Sequence, residues 1–288
     1  MNPINSIAFA ARPRRPTRYF AAASLTLAAL LGCSSSDATT LPTSRVVYGA
    51  AQTLGQGTAR IFVTLGSDEQ PQSLGVAVSE AAMGTLPSTP LAPSPSAVSL
   101  ILDLPDAAKP IGIDHVMLDW NPMGHEPDHV YTLPHFDFHF YLISKAEQMQ
   151  ILPTAPDFQQ RASHLPDADY IPAGYLATNV LANTTAAAAT VPMMGLHWVD
   201  GAASELHGQT FTATYLWGSF DGRFIFIEPM ITKAYIESMK SAPSNSVITP
   251  LKAPAKYQRA GYYPDRYSIT WDATSKEYRI ALDGLVQR

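Results

Sequence analysis

The chain has 288 residues, a formal charge of −5 and a single cysteine. The acidic balance argues against nucleic acid as a partner, and one thiol excludes both a disulfide framework and a thiolate metal cluster. The length suits a leader followed by one sizeable domain, or at most two small ones.

Residues 1–32 read as an export leader. Arg12, Arg14, Arg15 and Arg18 precede an apolar run from Tyr19 to Leu31, which is too short for a permanent membrane helix and has the anatomy of a signal peptide. The run ends in Leu30-Leu31-Gly32-Cys33 and resembles the bacterial lipobox. That resemblance implies cleavage before Cys33 and lipidation of Cys33, so that the protein is held at the membrane through its N-terminal lipid. Ser34 in place of Asp implies the outer membrane, with the domain facing the periplasm. Cleavage removes four arginines and no acidic residue, moving the formal charge from −5 to −9. Such a chain gains nothing electrostatically from anionic lipid, so attachment depends on the acyl chains. Residues 33–45 form the lipidated Cys and a Ser/Thr-rich tether, and residues 46–288 one β-rich domain.

Val46 to Leu65 is strand material centred on Ile61-Phe62-Val63, and the four prolines of Leu86 to Ser96 mark an exposed loop. Ala97 to Leu104 and Ile113 to Trp120 read as strands, the second with Ile113, His115, Met117 and Asp119 on one side. Pro134 to Tyr141 alternates strictly, so His135, Asp137 and His139 share one face while Phe136, Phe138 and Phe140 share the other. Ser144 to Ile151 starts with a capping box, Ser144 and Glu147. Pro153 to Ala189 lacks a clear period and reads as loops with short helices. Phe211 to Pro229 is a hairpin about Asp221-Gly222, a dipeptide suited to a type I′ turn. An uninterrupted register from Phe220 opposite Arg223 puts Glu228 opposite Tyr215, on the face of Trp217, Phe224 and Phe226. Ile231 to Lys240 reads as a helix, and a last hairpin turns around Asp272 to Lys276. Many short strands with few helices predict a mainly β fold, an antiparallel barrel or sandwich with a few short peripheral helices.

Five of the eight histidines, His115, His125, His129, His135 and His139, fall within 25 residues. Further along lie His197 with Asp200, and Glu228 ahead of Pro229. Same-face neighbours on a strand are about 6.6 Å apart and next-but-one neighbours about 13 Å. A regular strand therefore forbids His135 and His139 from sharing one ion, and only a bulge after Pro134 would restore that pair. The favoured site is His139 with Asp137 or His135, joined by His197 and Glu228 from other strands. Imidazole mixed with carboxylate suits a divalent metal such as Zn, Mn, Fe or Ni, and three protein ligands leave a position for water. His125 and Glu126 on a Gly/Pro loop, Asp200 and Tyr141 are candidates for supporting positions. Gly124 and Gly195, just ahead of His125 and His197, permit close backbone approach. His115, His129, His164 and His207 read as structural or exposed. Two other readings stay open. One is a non-catalytic envelope protein, with a homo-oligomer as an option, whose His/Asp strand is a hydrogen-bonded element. The other is a small-molecule-binding barrel lined by the aromatics.

The layout resembles those of cupins and α-type carbonic anhydrases, which carry H-x-H and further ligands on β-strands; here H-x-D-x-H replaces H-x-H. A second resemblance rests on Asp119-Trp120-Asn121-Pro122 with Gly124-His125-Glu126-Pro127, Pro134 to Tyr141, Met194-Gly195 with His197-Trp198, Gly218 to Gly222, Glu228-Pro229-Met230 and Tyr262-Tyr263-Pro264. Over Ile113 to Leu282 the chain resembles a poorly characterised family of exported bacterial β-barrel domains, one member of which is controlled by an envelope-stress sigma factor. This implies a β fold and an envelope location, and names no reaction.

Overall fold

A computed structural model describes residues 44–288; the leader, Cys33 and nearly all of the tether lie outside the described residues. The chain starts in one sheet with β1 (Arg45–Tyr48), β2 (Gln52–Leu54), β3 (Gly57–Leu65) and β4 (Pro71–Ser79). It then builds a second sheet from β5 (Val98–Asp103), β6 (His115–Asn121), β7 (His135–Tyr141), β8 (Tyr175–Ala177), β9 (Leu196–Asp200), β10 (Ala213–Phe220) and β11 (Arg223–Thr232). The first sheet is completed by β12 (Ser246–Pro250), β14 (Arg266–Asp272) and β15 (Glu277–Asp283), while β13 (Tyr262–Tyr263) pairs with β16 (Val286–Gln287). The first sheet runs β1-β3-β4-β15-β14-β12, with β2 also paired to β3, and the second runs β5-β6-β7-β11-β10-β9-β8. Every pairing is antiparallel, and neither sheet closes on itself. Of the two expected architectures, the sandwich fits.

Alternation decides what each face buries. Phe136, Phe138 and Phe140 of β7 share one apolar core with Ile61, Val76 and Ile280 of the first sheet, each ring contributing roughly 1.5–3 kcal/mol by leaving water. Tyr215 of β10 and Tyr267 of β14 stack across the layers with centroids 5.8 Å apart. The other face of β6 and β7 carries His115, Asp119, Asn121, His135, Asp137 and His139, and these too are buried. Short helices and loops cover that face, and among the described residues no helix is long and apolar enough to cross a membrane.

Local signals act as their chemistry demands. Asp221 and Gly222 both take positive φ, 53° and 72°, as a type I′ turn requires. Ser144 and Glu147 close a reciprocal capping box on the helix Lys145–Gln148. The helix expected from Ile231 begins at Lys233, because Ile231 and Thr232 still pair with Phe136 and His135 of β7. The strand Pro71–Ser79 carries no clear sequence signal, since it opens with Pro and holds Gly75 at its middle.

The β10–β11 hairpin corrects the expected register. Phe220 faces Arg223 and Ser219 faces Phe224, but Gly218 faces Phe226, which leaves Ile225 as an extra residue. Beyond this bulge Glu228 pairs with Leu216, not Tyr215. It has Phe226 on its face, whereas Trp217 and Phe224 turn into the core between the sheets. A bulge re-aims the side chains that follow it, and here it turns a carboxylate towards the histidines of β7.

Candidate metal centre

Sheet order brings the site together. Strands β6, β7, β11, β10 and β9 are successive neighbours, so their outward residues form one continuous surface. Across β6 and β7, Asp119 is opposite Asp137, Met117 opposite His139 and Asn121 opposite His135. Across β10 and β9, Gly218 is opposite His197. One apolar group including Tyr141, Ile151, Phe158 and Phe226 packs at one end of the surface, and another including Tyr131, Phe211, Leu216 and Met230 packs at the other.

The surface holds two groups of three ligand-type side chains, not one. In the first, His139, His197 and Glu228 present one atom each within 4.8 Å of one another. His139 Nε2 is 3.5 Å from Glu228 Oε1, and His197 Nε2 is 3.6 Å from Glu228 Oε2. A tetrahedral ion with bonds near 2.05 Å needs ligand separations of about 3.3 Å, so a group that lies within 4.8 Å would draw inward by up to about 1.5 Å to hold one. In the second group, His125, His135 and Asp137 meet the same 4.8 Å limit. His135 Nε2 lies 3.2 Å from Asp137 Oδ1, and His125 Nε2 lies 3.5 Å from Asp137 Oδ2. His135 and His139 thus belong to different groups, as strand spacing requires.

Supporting contacts orient the ligand atoms. His135 Nδ1–H donates to the Leu133 carbonyl and His125 Nδ1–H to the Glu126 carbonyl, both at 2.7 Å. Each bond occupies Nδ1 and turns Nε2 towards Asp137. Asn121 Nδ2 donates to Asp137 Oδ2 at 2.7 Å and accepts from the Ser96 hydroxyl at its own Oδ1. Asp119 takes the Ser99 hydroxyl on Oδ1 and sets Oδ2 3.4 Å from His139 Nδ1, a charge contact without a hydrogen bond. Within the protein, His135 Nε2, Asp137 Oδ1, His139 Nε2 and Glu228 Oε2 have no hydrogen-bond partner although all are buried. Burying such atoms unpaired is costly. Their clustering at two points is what a cation would satisfy.

Charge balance agrees. Burial pulls the His139 pKa down, but Glu228, Asp119 and Asp137 together outweigh it and hold it up at about 9. Burial lifts Glu228 to about 7 against the pull of His139. His197 is pushed down to about 3 by burial and by His139 beside it. Burial opposes ionisation of Asp137, yet His135 and His125 keep its carboxyl well below the usual range. Burial likewise lowers His125, and the Asp137 carboxylate more than compensates, carrying it to about 9. Without a metal, the carboxylates are balanced by protons on histidine; a bound ion would displace those protons.

The other sequence candidates are placed as follows. The Tyr141 hydroxyl donates to the Met193 carbonyl, and its ring stacks on His115 and His139. Glu126 contributes its carbonyl to His125 while its own residue is exposed. Asp200 pairs with Lys252 and belongs to neither group. Gly124 and Gly195 both adopt positive φ, and a Cβ on Gly195 would sit 2.6 Å from the Ser219 carbonyl oxygen. His115 is buried between Gln148 and Asp114, while His164 pairs with Asp221 and His207 with the Gly201 carbonyl. Sequence reasoning gave no role to Asn121, Asp119, Ser96 or Ser99; alternation in β6 marked only the side on which Asp119 lies. Comparison of the chain with protein-family models, curated proteins and solved structures found no match.

Proposed function

We propose that this protein binds a divalent transition metal through His139, His197 and Glu228. The observation that carries the reading is the convergence of two imidazole nitrogens and a carboxylate from three strands, with His139 Nε2 and Glu228 Oε2 buried and unpaired inside the protein. Two imidazoles and one carboxylate suit Zn, Mn, Fe or Ni, and such a set leaves positions for water or substrate. The chemistry it would support is hydrolysis by a metal-activated water or activation of oxygen. A purely hydrogen-bonded His/Asp strand is the weaker reading, because that role would pair the polar atoms that here have no partner.

The same proposal places the domain in the bacterial envelope, anchored by lipid on Cys33. Its support is the apolar run that ends directly at the one cysteine of the chain. Metal analysis by mass spectrometry on the purified protein tests the site: we expect bound metal in the wild type and its loss from this site in His139→Ala and His197→Ala. A metal-free wild type, with undiminished stability in chelator, would end the reading. Cys33→Ser tests the anchor, with release from membranes expected and unchanged membrane retention counting against it.

A further inference from the structure

We propose that His125, His135 and Asp137 hold a second cation, distinct from that of His139, His197 and Glu228, and that this ion ties the loop of residues 122–134 to the sheet. The first support is geometric. His135 Nε2 and Asp137 Oδ1 are 3.2 Å apart yet not hydrogen-bonded, so the imidazole plane is not aimed at the oxygen. Two lone-pair atoms that are close but not directed at each other are arranged to meet a third atom. The tautomers agree, since both imidazoles use Nδ1–H on backbone carbonyls and turn Nε2 inward.

The second support is how the site is built. Asp137 is held by Asn121, itself fully buried and held by Ser96. Anchoring of this kind is typical of metal-binding carboxylates. The two groups share no side chain, each of the six residues belonging to one of them alone. The ions would act as neighbours with separate ligand sets.

The loop follows from the source of the ligands. His135 and Asp137 are on β7, but His125 comes from the connection between β6 and β7, where the His125 backbone N–H donates to the Tyr131 carbonyl. His125 is also the most open ligand of this group, with 23% of its side chain exposed. An ion bound there joins the loop to the strand and lets metal enter from solvent.

The test is a titration of the purified full-length protein with Zn²⁺ by calorimetry, repeated with Co²⁺ to record its d–d absorption. Two ions per chain are expected, with one remaining in His125→Ala and one in His139→Ala. Asp137→Asn, closer in shape, should behave as His125→Ala and guards against a folding artefact. Zn²⁺ should slow proteolysis within residues 122–134 severalfold in the wild type and not in His125→Ala; equal cleavage overturns the tie. One ion that survives His125→Ala but not His139→Ala overturns the second site and leaves the first. One ion with the opposite pattern supports the second site and overturns the first. A single ion lost in both variants means one shared site and overturns the proposal, and no ion at all overturns both readings.

Discussion

Phe226 lies where a side chain on Gly218 would be: a Cβ built on that glycine falls 1.9 Å from the phenyl ring of its cross-strand partner. The ring is also edge-on to His139 and His197, with centroids 5.0 and 5.1 Å away. One missing side chain therefore seats the ring that lies against both histidines. Gly218→Ala should displace Phe226, destabilise the fold by about 1–3 kcal/mol as overpacking does, and weaken metal binding at the first site. Denaturant unfolding and a metal titration of the same variant measure both effects. An unchanged affinity would mean that Phe226 does not position the ligands.

Asp119 offers a milder change. Its Oδ2 faces His139 Nδ1 from 3.4 Å while its Oδ1 accepts the Ser99 hydroxyl. Asp119→Asn keeps the shape and removes the negative charge beside the imidazole, a charge contact in which the two atoms are not hydrogen-bonded. Loss of an outer carboxylate beside a metal-binding histidine typically lowers metal affinity roughly 10–100-fold. Competition against a chelator of known affinity should show that drop at the first site, and the second ion should be retained.

The first site should bind metal more tightly as pH rises. In the metal-free protein His139 titrates at about 9 and Glu228 at about 7, and both protons must leave before the ion is held. Between those values about one proton is released per ion, so affinity should rise roughly tenfold per pH unit; below them the slope should approach two protons. The folded pKa of His139 lies above its ordinary value of 6.5. Its contribution to metal-free stability is thus full below pH 6.5 and is lost as pH climbs through about 9. Calorimetry in buffers of differing ionisation enthalpy counts the protons, and a flat pH profile would contradict the assignment.

Period-two alternation in Pro134 to Tyr141 was enough to read which residues of β7 enter the core and which share the outer face. The capping box of Ser144 and Glu147 and the turn at Asp221-Gly222 were equally legible, because each depends on chemistry within a few residues. Glu228 shows the limit. Its face depends on a bulge at Ile225, and the sequence marks that bulge only through Gly218 on the opposite strand. His125 shows another limit: a loop residue meets β7 because the loop folds back, and no short-range periodicity encodes that. Division of the ligands into two groups likewise depends on the order β6-β7-β11-β10-β9, which is set by pairing between strands distant in sequence.

Gly124→Ala tests whether loop shape, separately from ligand identity, governs the second group. Gly124 has φ of +69°, and a Cβ there would meet the Tyr131 carbonyl oxygen at 2.2 Å and the Thr132 backbone at 2.6 Å. Those are backbone atoms, so a small side-chain rotation cannot relieve the clash, and positive φ adds its own penalty for a residue with a Cβ. The loop must move, and His125 is the next residue. His135 and Asp137 stay on β7, while His139, His197 and Glu228 lie on strands that the change does not touch. The variant should therefore lose the second ion while keeping the first with nearly unchanged affinity. If instead both ions remain, the loop tolerates a shift that the backbone contacts forbid, and His125 reaches Asp137 by a route other than the one its present geometry sets.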